Sequence, residues 1–333
     1  MTSMILFWVV VFIISLAALV KGADWLLESA ERIGLAAGLS PFIIGVVIVG
    51  IGTSFPELAS SFVALFQGVT EIIPANAIGS NIANILLVVG LSAVIGGRLV
   101  VTKSLIDIDL PLLATSTVLF LGVVWDKQIT FFESLLMLIA YGIYIAYTII
   151  HKDELSDENG DVEILPSRSV SKNIAETPEE TARPSLSIKD FGVLFIGVLG
   201  LVFGAQYLIG SVIALSSLLN IGAGVIAITA VAFGTSLPEL MVSAKAAFQK
   251  KSEIALGNIF GSNVFNALVV IGLPGLFKTL EVDIKTFTIG VPVMAFATFL
   301  FIISGISRRI HMWEGAFFLV LYILFVGKLF ALF

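Results

Sequence analysis

The chain reads Gly52-Thr53-Ser54-Phe55-Pro56-Glu57 inside a long apolar run, and it repeats this pattern at Gly234-Thr235-Ser236-Leu237-Pro238-Glu239. A carboxylate within a bilayer-spanning segment is costly to bury, and it usually marks a functional site. Two such carboxylates in matching settings indicate a paired polar site.

The two motifs belong to a longer duplication. The second copy begins at Gly234 and the first at Gly52, an offset of 182 residues, and the same offset aligns further pairs without a gap. These pairs are Gln67 and Gln249, Glu71 and Glu253, Asn76 and Asn258, Gly79-Ser80-Asn81 and Gly261-Ser262-Asn263, Asn84 and Asn266, and Gly90 and Gly272. After a slip of one residue, Pro111, Glu133 and Tyr141 match Pro292, Glu314 and Tyr322. So long a run of agreements indicates a tandem duplication.

Composition places the chain in the membrane. Of its 333 residues 58% are hydrophobic and 13% charged, with a mean hydropathy of +1.08, outside the range of water-soluble domains. The absence of cysteine excludes disulfides and thiolate ligands. His151 and His311 fall at predicted helix ends, which argues against a histidine metal site. Nothing indicates a nucleic-acid partner.

The predicted fold is an all-α integral membrane protein with ten transmembrane helices. Crossing a bilayer takes about twenty apolar residues. Such stretches occupy about 4–33, 41–66, 71–96, 107–125 and 130–150, then 188–217, 223–248, 254–277, 286–304 and 311–331. The apolar start is interpreted as a first membrane helix and not as a cleaved signal. Asp107, Asp109, Glu281 and Asp283 are interpreted as interfacial caps.

The predicted domains are a first five-helix repeat at 1–150, a linker at 151–187 and a second repeat at 188–333, with core repeats at 41–96 and 223–277. The linker is rich in charged residues, Ser and Pro, as in solvated segments. Since five is odd, the two halves cross the membrane in opposite senses and form an inverted repeat. Most Lys and Arg fall on one side if both termini are outside and the linker is cytoplasmic, which is the predicted orientation.

The repeated motif predicts a break in each helix. Pro56 and Pro238 have no N–H, so the carbonyl four residues earlier loses its helical partner, and Gly50 and Gly52 make local unwinding cheap. On the following helix Asn76, Ser80 and Asn84 form a polar stripe at spacing i, i+4, i+8, which the second copy repeats. The result is an all-oxygen set of the kind that Ca²⁺ and Na⁺ prefer.

Structural roles compete with ligand roles for some of these residues. Gly79, Gly90, Gly261 and Gly272 are interpreted as helix-packing residues. Asn76 and Asn258 fit interhelical hydrogen bonding and ion ligation equally well. For Glu57 and Glu239 the alternative is a protonated structural carboxyl, but their repeated position directly after a helix-breaking proline favours a functional role.

The doubled Gly-Thr-Ser-x-Pro-Glu and Gly-Ser-Asn-x-x-Asn motifs resemble the two alpha-repeats of the sodium/calcium exchangers, in the Ca²⁺/cation antiporter superfamily. The resemblance implies that Glu57 and Glu239 bind Ca²⁺ and Na⁺ in alternation. It further implies that the carbonyls of Thr53 and Thr235 complete the calcium site and that Asn84 and Asn266 flank the centre. The implied sodium ligands are the hydroxyls of Ser54, Ser236, Ser80 and Ser262 and the carbonyls near Gly50 and Ala232.

One position departs from the family pattern. Many relatives carry Asp where this chain has Asn266, so potassium co-transport is disfavoured. The Gly-Asn-Ala-x-Glu motif of the proton-coupled branch is absent. Sodium coupling is therefore predicted, with proton-coupled or potassium-dependent cation exchange as the alternative.

The predicted activity is secondary active antiport of Na⁺ against Ca²⁺ at one shared midplane site in the cell membrane, without bond-breaking chemistry and without a cofactor. The predicted partners are the two ions and the lipid bilayer, and a monomer suffices because one chain carries both repeats. A cation channel with the same oxygen lining is one competing interpretation. An intramembrane hydrolase is another, although no His-Glu-x-x-His motif occurs in a span.

Overall fold

The computed structural model describes residues 2–101, 109–150, 187–218 and 236–329, and these residues are mainly helical. The helices are α1 Thr2–Ala36, α2 Pro41–Gln67, α3 Ile72–Gly96, α4 Leu110–Val123, α5 Phe131–Ile150, α6 Ile188–Leu218, α7 Leu237–Phe248, α8 Ser252–Gly275, α9 Thr286–Ile306 and α10 Met312–Leu329.

The helices agree with the predicted spans to within a few residues. Within the described ranges, eight helices are long and apolar enough to cross a bilayer, and the shorter α4 is also apolar. The helix α7 corresponds to the second part of the span predicted at 223–248. Its first part, residues 223–235, lies outside the described residues, as do linker residues 151–186. A multi-pass helical membrane protein is confirmed, and the count of ten spans stays a prediction.

Two short antiparallel ribbons show that the halves are inverted. Strand β1 Arg98–Val100 pairs with β4 Arg309–His311, and β2 Gln128–Ile129 pairs with β3 Leu280–Glu281. Helix α4 leads from the β1 end of the molecule to β2, whereas α9 leads from β3 to β4. Since β1 joins β4 and β2 joins β3, these repeat-related helices run in opposite directions between the same two ribbons. The ribbons themselves were not predicted.

The repeat extends to helix caps and turns. Lys127 and Arg308, which the duplication relates, both have positive φ angles in the turns that lead into β2 and β4. The carboxylate of Glu133 accepts the backbone N–H of Thr130, and that of Glu314 accepts the backbone N–H of His311. Each bond caps the start of a repeat-related helix, α5 or α10.

The structure confirms the predicted cap at Asp283 and contradicts the one at Asp109. Asp283 accepts the backbone N–H groups of Lys285 and Thr286 before α9, as predicted. Burial alone would raise the pKa of Asp283, but these hydrogen bonds stabilise the carboxylate more strongly. The net effect is a pKa below the usual value for Asp. Asp109 precedes α4 but makes no side-chain capping bond and is only 3% exposed, so its assignment as an interfacial cap was wrong.

Glycines bring helix backbones into contact at two crossings. Between α1 and α6, a Cβ on Gly22 would lie 2.8 Å from the carbonyl of Gly197. Between α2 and α8, a Cβ on Gly261 would lie 2.4 Å from the carbonyl of Val46. Small residues are the usual means of close packing between membrane helices. The second crossing places α8 directly beside the break in α2.

The predicted packing role is confirmed for three of the four glycines. A Cβ on Gly90 would meet Gly315, and one on Gly272 would meet Ser134, so these positions pack tightly like Gly261. A Cβ on Gly79 would meet no atom within 4 Å among the described residues. The segment that the duplication predicts to pack against it, residues 223–235, lies outside the described residues, so its packing role stays a prediction.

Candidate ion-binding site

The break in α2 is confined to one residue. Residues Ile44–Gly50 form a π-helix and Ile51–Thr53 one α-helical turn, after which Ser54 leaves helical geometry at ψ 5°. Gly50 keeps helical angles, so the unwinding predicted there does not occur. The break therefore comes four residues after the π-helical segment and two residues before Pro56. Helix geometry resumes at Phe55, so Glu57 lies in the first turn after the break.

The break brings the two repeats together. Ser54 Oγ donates a hydrogen bond of 3.0 Å to Glu239 Oε1, on α7. Ser54 immediately precedes the helical segment whose first turn carries Glu57, so this bond holds the start of that segment next to α7. Glu57 is 0% exposed and Glu239 1%. Two acids that are 182 residues apart in sequence are thus both buried.

A hydroxyl and amide network surrounds the carboxylates. Thr53 Oγ1 donates to Asn258 Oδ1 at 3.0 Å and lies 3.4 Å from Ser262 Oγ. The carbonyl of Gly50 accepts bonds from Thr53 Oγ1 and Ser262 Oγ, both at 3.3 Å. It also accepts the backbone N–H of Ser54 at 3.1 Å. Oxygen atoms from α2 and α8 therefore converge beside the break.

Several oxygen and nitrogen atoms in this region have no hydrogen-bond partner among the described residues. They include Oε2 of Glu239 and both side-chain amide atoms of Asn84 and of Asn266. These three residues are at most 1% exposed. Buried polar atoms are costly to leave unpaired, and the carboxylate and amide oxygens of this set are atoms that a cation could ligate, whereas the amide nitrogens can only donate hydrogen bonds. Hard cations such as Na⁺ and Ca²⁺ fit an all-oxygen set of this kind.

A cavity of about 330 Å³ lies beside α3, and it reaches the polar stripe of the first repeat. Its walls are mainly apolar, and its polar lining residues are Asn76, Ser80, Ser236, Lys285, Thr286 and Tyr322. Asn76 is half-buried and donates to Ser60 Oγ at 3.3 Å, so it does not copy the contacts of Asn258.

Most of the predicted site residues are buried, and some are in direct contact. Hydrogen bonds link two sets, Gly50, Thr53 and Ser262 in one and Ser54 and Glu239 in the other. Ser80 and Ser236 line one cavity, and Glu57, Asn84 and Asn266 are fully buried. Thr235 and Ala232, the repeat partners of Thr53 and Gly50, lie outside the described residues.

Sequence reasoning missed Ser243, a fully buried residue whose hydroxyl accepts from Asn258 Nδ2 at 2.7 Å. A signal for it was present in the sequence. Ser61 and Ser243 each follow a site glutamate by four residues, on the same helix face in both copies.

Ion pairs on α1 were also missed. Lys245 on α7 pairs with Asp24, and Lys251 at the start of α8 pairs with Glu31. These side chains are only 22% to 34% exposed. The duplication places Gln206, Val63, Val69 and Ile213 at the corresponding positions, so it does not repeat these pairs. They attach α1 to the bundle on one side of the molecule.

Comparisons with known proteins match nearly the whole chain. A family model described as sodium/calcium exchanger protein matches residues 7–150 and 189–331. The chain is 32% identical to membrane protein MJ0091 of Methanocaldococcus jannaschii, over 96% of each chain. It is also 32% identical to the sodium/calcium exchanger MaX1 of Methanosarcina acetivorans, over 96% of this chain and 97% of the other.

A solved structure shares the fold. The sodium-calcium exchanger NCX_Mj, soaked with Na⁺ and without Ca²⁺, superposes with a TM-score of 0.78 at 31% identity. The match covers 97% of this chain and 99% of the other.

Proposed function

We propose, from the premise that this chain belongs to the sodium/calcium exchanger protein family, that it moves Ca²⁺ across the cell membrane in exchange for Na⁺ at one shared site. The observation that carries the proposal is the hydrogen bond from Ser54 to Glu239. It joins the broken helix of one repeat to the carboxylate of the other, with Glu57 in the first helical turn after the break.

The proposed mechanism follows from charge. Two glutamates supply about two negative charges, which one Ca²⁺ or two Na⁺ neutralise. An empty pair of close carboxylates in a site of low dielectric constant is unfavourable. The calcium-bound and sodium-bound states therefore exclude each other, and a sodium gradient drives calcium movement. The inverted repeats support alternating access, in which the same site opens to either side in turn.

The proposed ligand set keeps the assignments that the family resemblance implies. Glu57 and Glu239 are shared by both ions. The carbonyls of Thr53 and Thr235 complete the calcium site, and Asn84 and Asn266 flank it. The hydroxyls of Ser54, Ser236, Ser80 and Ser262 and the carbonyls near Gly50 and Ala232 serve sodium. In the proposed orientation both termini are outside and the linker is cytoplasmic.

The test is ⁴⁵Ca²⁺ uptake into proteoliposomes that contain the purified protein. Vesicles loaded with Na⁺ and diluted into Na⁺-free buffer should accumulate Ca²⁺, whereas vesicles loaded with K⁺ and an imposed pH step should not. Glu239→Gln should abolish uptake, because the site loses one of its two charges. Uptake that follows the pH step indicates proton coupling, and calcium flux that needs no counter-ion indicates a channel.

A further inference from the structure

We propose that Asn258 is a positioning residue that holds Thr53 and Glu239 in register and thereby sets the affinity for Ca²⁺ relative to Na⁺. This inference rests on the proposed function, since it concerns the same ions. Asn258 is assigned no ligand role. It acts through the two residues whose oxygens are proposed to contact calcium.

The side-chain amide of Asn258 joins three helices. Its Oδ1 accepts from Thr53 Oγ1 of α2 at 3.0 Å. Its Nδ2 donates to Ser243 Oγ at 2.7 Å and to the backbone carbonyl of Glu239 at 3.4 Å, both on α7. Asn258 itself lies on α8 and is 0% exposed. One amide therefore fixes the last residue before the break in α2 relative to the turn of α7 that carries the glutamate.

The repeat supplies an internal comparison. Asn76 has the same residue type and the equivalent position on α3, yet it is half-buried, lines the cavity and donates to Ser60. Ser61 is the counterpart of Ser243. Its hydroxyl is buried but has no hydrogen-bond partner among the described residues. Among the described residues, Asn258 bonds to Ser243, whereas Asn76 bonds to Ser60 and not to Ser61, so the duplicated asparagine and serine are joined in the second repeat and not in the first.

Calcium is the ion that this bridge favours. A divalent ion needs both carboxylates and several carbonyls at 2.3–2.6 Å at the same time. Each sodium ion carries half that charge and needs fewer of these oxygens together. Loss of the bridge lets α2 and α7 shift against each other, so the convergent calcium geometry is weakened more than the sodium geometry. The bridge therefore acts on selectivity as well as on affinity.

The experiment measures equilibrium ⁴⁵Ca²⁺ binding to the purified protein in detergent, with Na⁺ binding read from Na⁺-dependent thermal stabilisation. Asn258→Ala should weaken Ca²⁺ binding about five- to tenfold, the effect of losing one or two buried hydrogen bonds. The half-saturating Na⁺ concentration should change by less than about twofold on the same reasoning. A merely destabilising change would not separate the two ions.

Matched variants isolate the bridge. Ser243→Ala removes one of its bonds and should weaken Ca²⁺ binding about threefold, whereas Ser61→Ala, the same change in the other repeat, should have no effect. Combining Asn258→Ala with Thr53→Val should be less than additive, because both remove the same bond. If Asn258→Ala does not fold, the comparison of Ca²⁺ binding by Ser243→Ala and Ser61→Ala still tests the inference.

The outcomes are distinct. Loss of Ca²⁺ affinity in Asn258→Ala and Ser243→Ala, but not in Ser61→Ala, supports the inference. Equal losses for Ca²⁺ and Na⁺, or equal effects of the two serine changes, overturn it and leave the proposed function intact. Absence of Ca²⁺ binding by the unaltered protein overturns both.

Discussion

The two central asparagines limit the negative charge of the site. Asn84 and Asn266 are both 0% exposed, and their amide atoms have no hydrogen-bond partner among the described residues. Glu57 and Glu239 then supply the carboxylates of the proposed ligand set. Such a set can be neutralised by one Ca²⁺ without a further cation, which is consistent with sodium rather than potassium-dependent exchange.

Asn266→Asp is predicted to strengthen Ca²⁺ binding. The substitution keeps the side-chain shape and adds a carboxylate, and affinity for hard cations rises with the number of charged ligands. The expected dissociation constant falls about tenfold, measured by equilibrium ⁴⁵Ca²⁺ binding. Asn84→Asp, the same change in the other repeat, should act in the same direction. Unchanged affinity in both variants would show that these amides do not face the ion.

The site residues that the sequence could predict are those that the duplication repeats. The glutamates, the prolines and the serines of the motif could be predicted because each occurs twice in the same setting. For Asn258 the sequence allowed interhelical hydrogen bonding and ion ligation equally, and the structure shows hydrogen bonds to α2 and α7. Asn76 shares its sequence environment and donates to Ser60. The hydrogen bonds that Asn76 and Asn258 make depend on the packing of the neighbouring helices. This packing is a tertiary property that the local sequence does not specify.

The helices themselves were predictable from hydropathy because a bilayer-spanning segment must satisfy its backbone internally over a fixed length. The short strands and the π-helical segment were not predictable in this way. The ribbons β1–β4 and β2–β3 involve strands of only two or three residues, too short to leave a periodic pattern. The apolar run also gave no signal for the π-helical segment Ile44–Gly50 that precedes the break.

The close contact between α2 and α8 predicts the effect of a substitution at Gly261. A Cβ on Gly261 would lie 2.4 Å from the carbonyl of Val46, and this backbone contact cannot move cheaply. Gly261→Ala should therefore separate α2 from α8 and destabilise the protein by about 1–3 kcal/mol. Gly142→Ala on α5 is the control, since Gly142 is exposed and a Cβ there meets no described atom within 4 Å. It should be neutral or slightly stabilising.

The measurement is thermal unfolding of both glycine variants in detergent, followed by Ca²⁺ binding. Gly261→Ala should lower the melting temperature and weaken binding, because the oxygens of α2 and α8 no longer converge. Equal melting temperatures for the two variants would contradict the close contact of these helices.

For the molecule as a whole, α1 is held to the bundle by the ion pairs Lys245–Asp24 and Lys251–Glu31. Lys245 and Asp24 are each about four-fifths buried, so removal of one partner leaves a poorly solvated charge. We expect Lys245→Gln to lower the free energy of unfolding by about 1–2 kcal/mol, discounted for partial exposure. The double variant Asp24→Asn with Lys245→Gln should lose less free energy of unfolding than the two single variants lose in sum. Additive losses in thermal unfolding would show that the pair is not coupled.

The inverted architecture predicts which ribbon faces which side. Helices α4 and α9 both run between the ribbons, so β1–β4 and β2–β3 must lie at opposite membrane surfaces. The proposed orientation places β2–β3 outside, because most Lys and Arg then fall in the cytoplasm. Since the chain lacks cysteine, a single introduced cysteine is a unique label. Gln128 of β2 and His311 of β4 are exposed and suit this purpose.

A membrane-impermeant maleimide added to intact cells should label Gln128→Cys and not His311→Cys, and permeabilisation should make both reactive. The opposite pattern would keep the inversion and reverse the orientation. Labelling of both from outside would contradict the inversion itself, because two surfaces joined by antiparallel spans cannot lie on one side of the bilayer. The shared site would then lose the symmetry by which each repeat supplies one carboxylate.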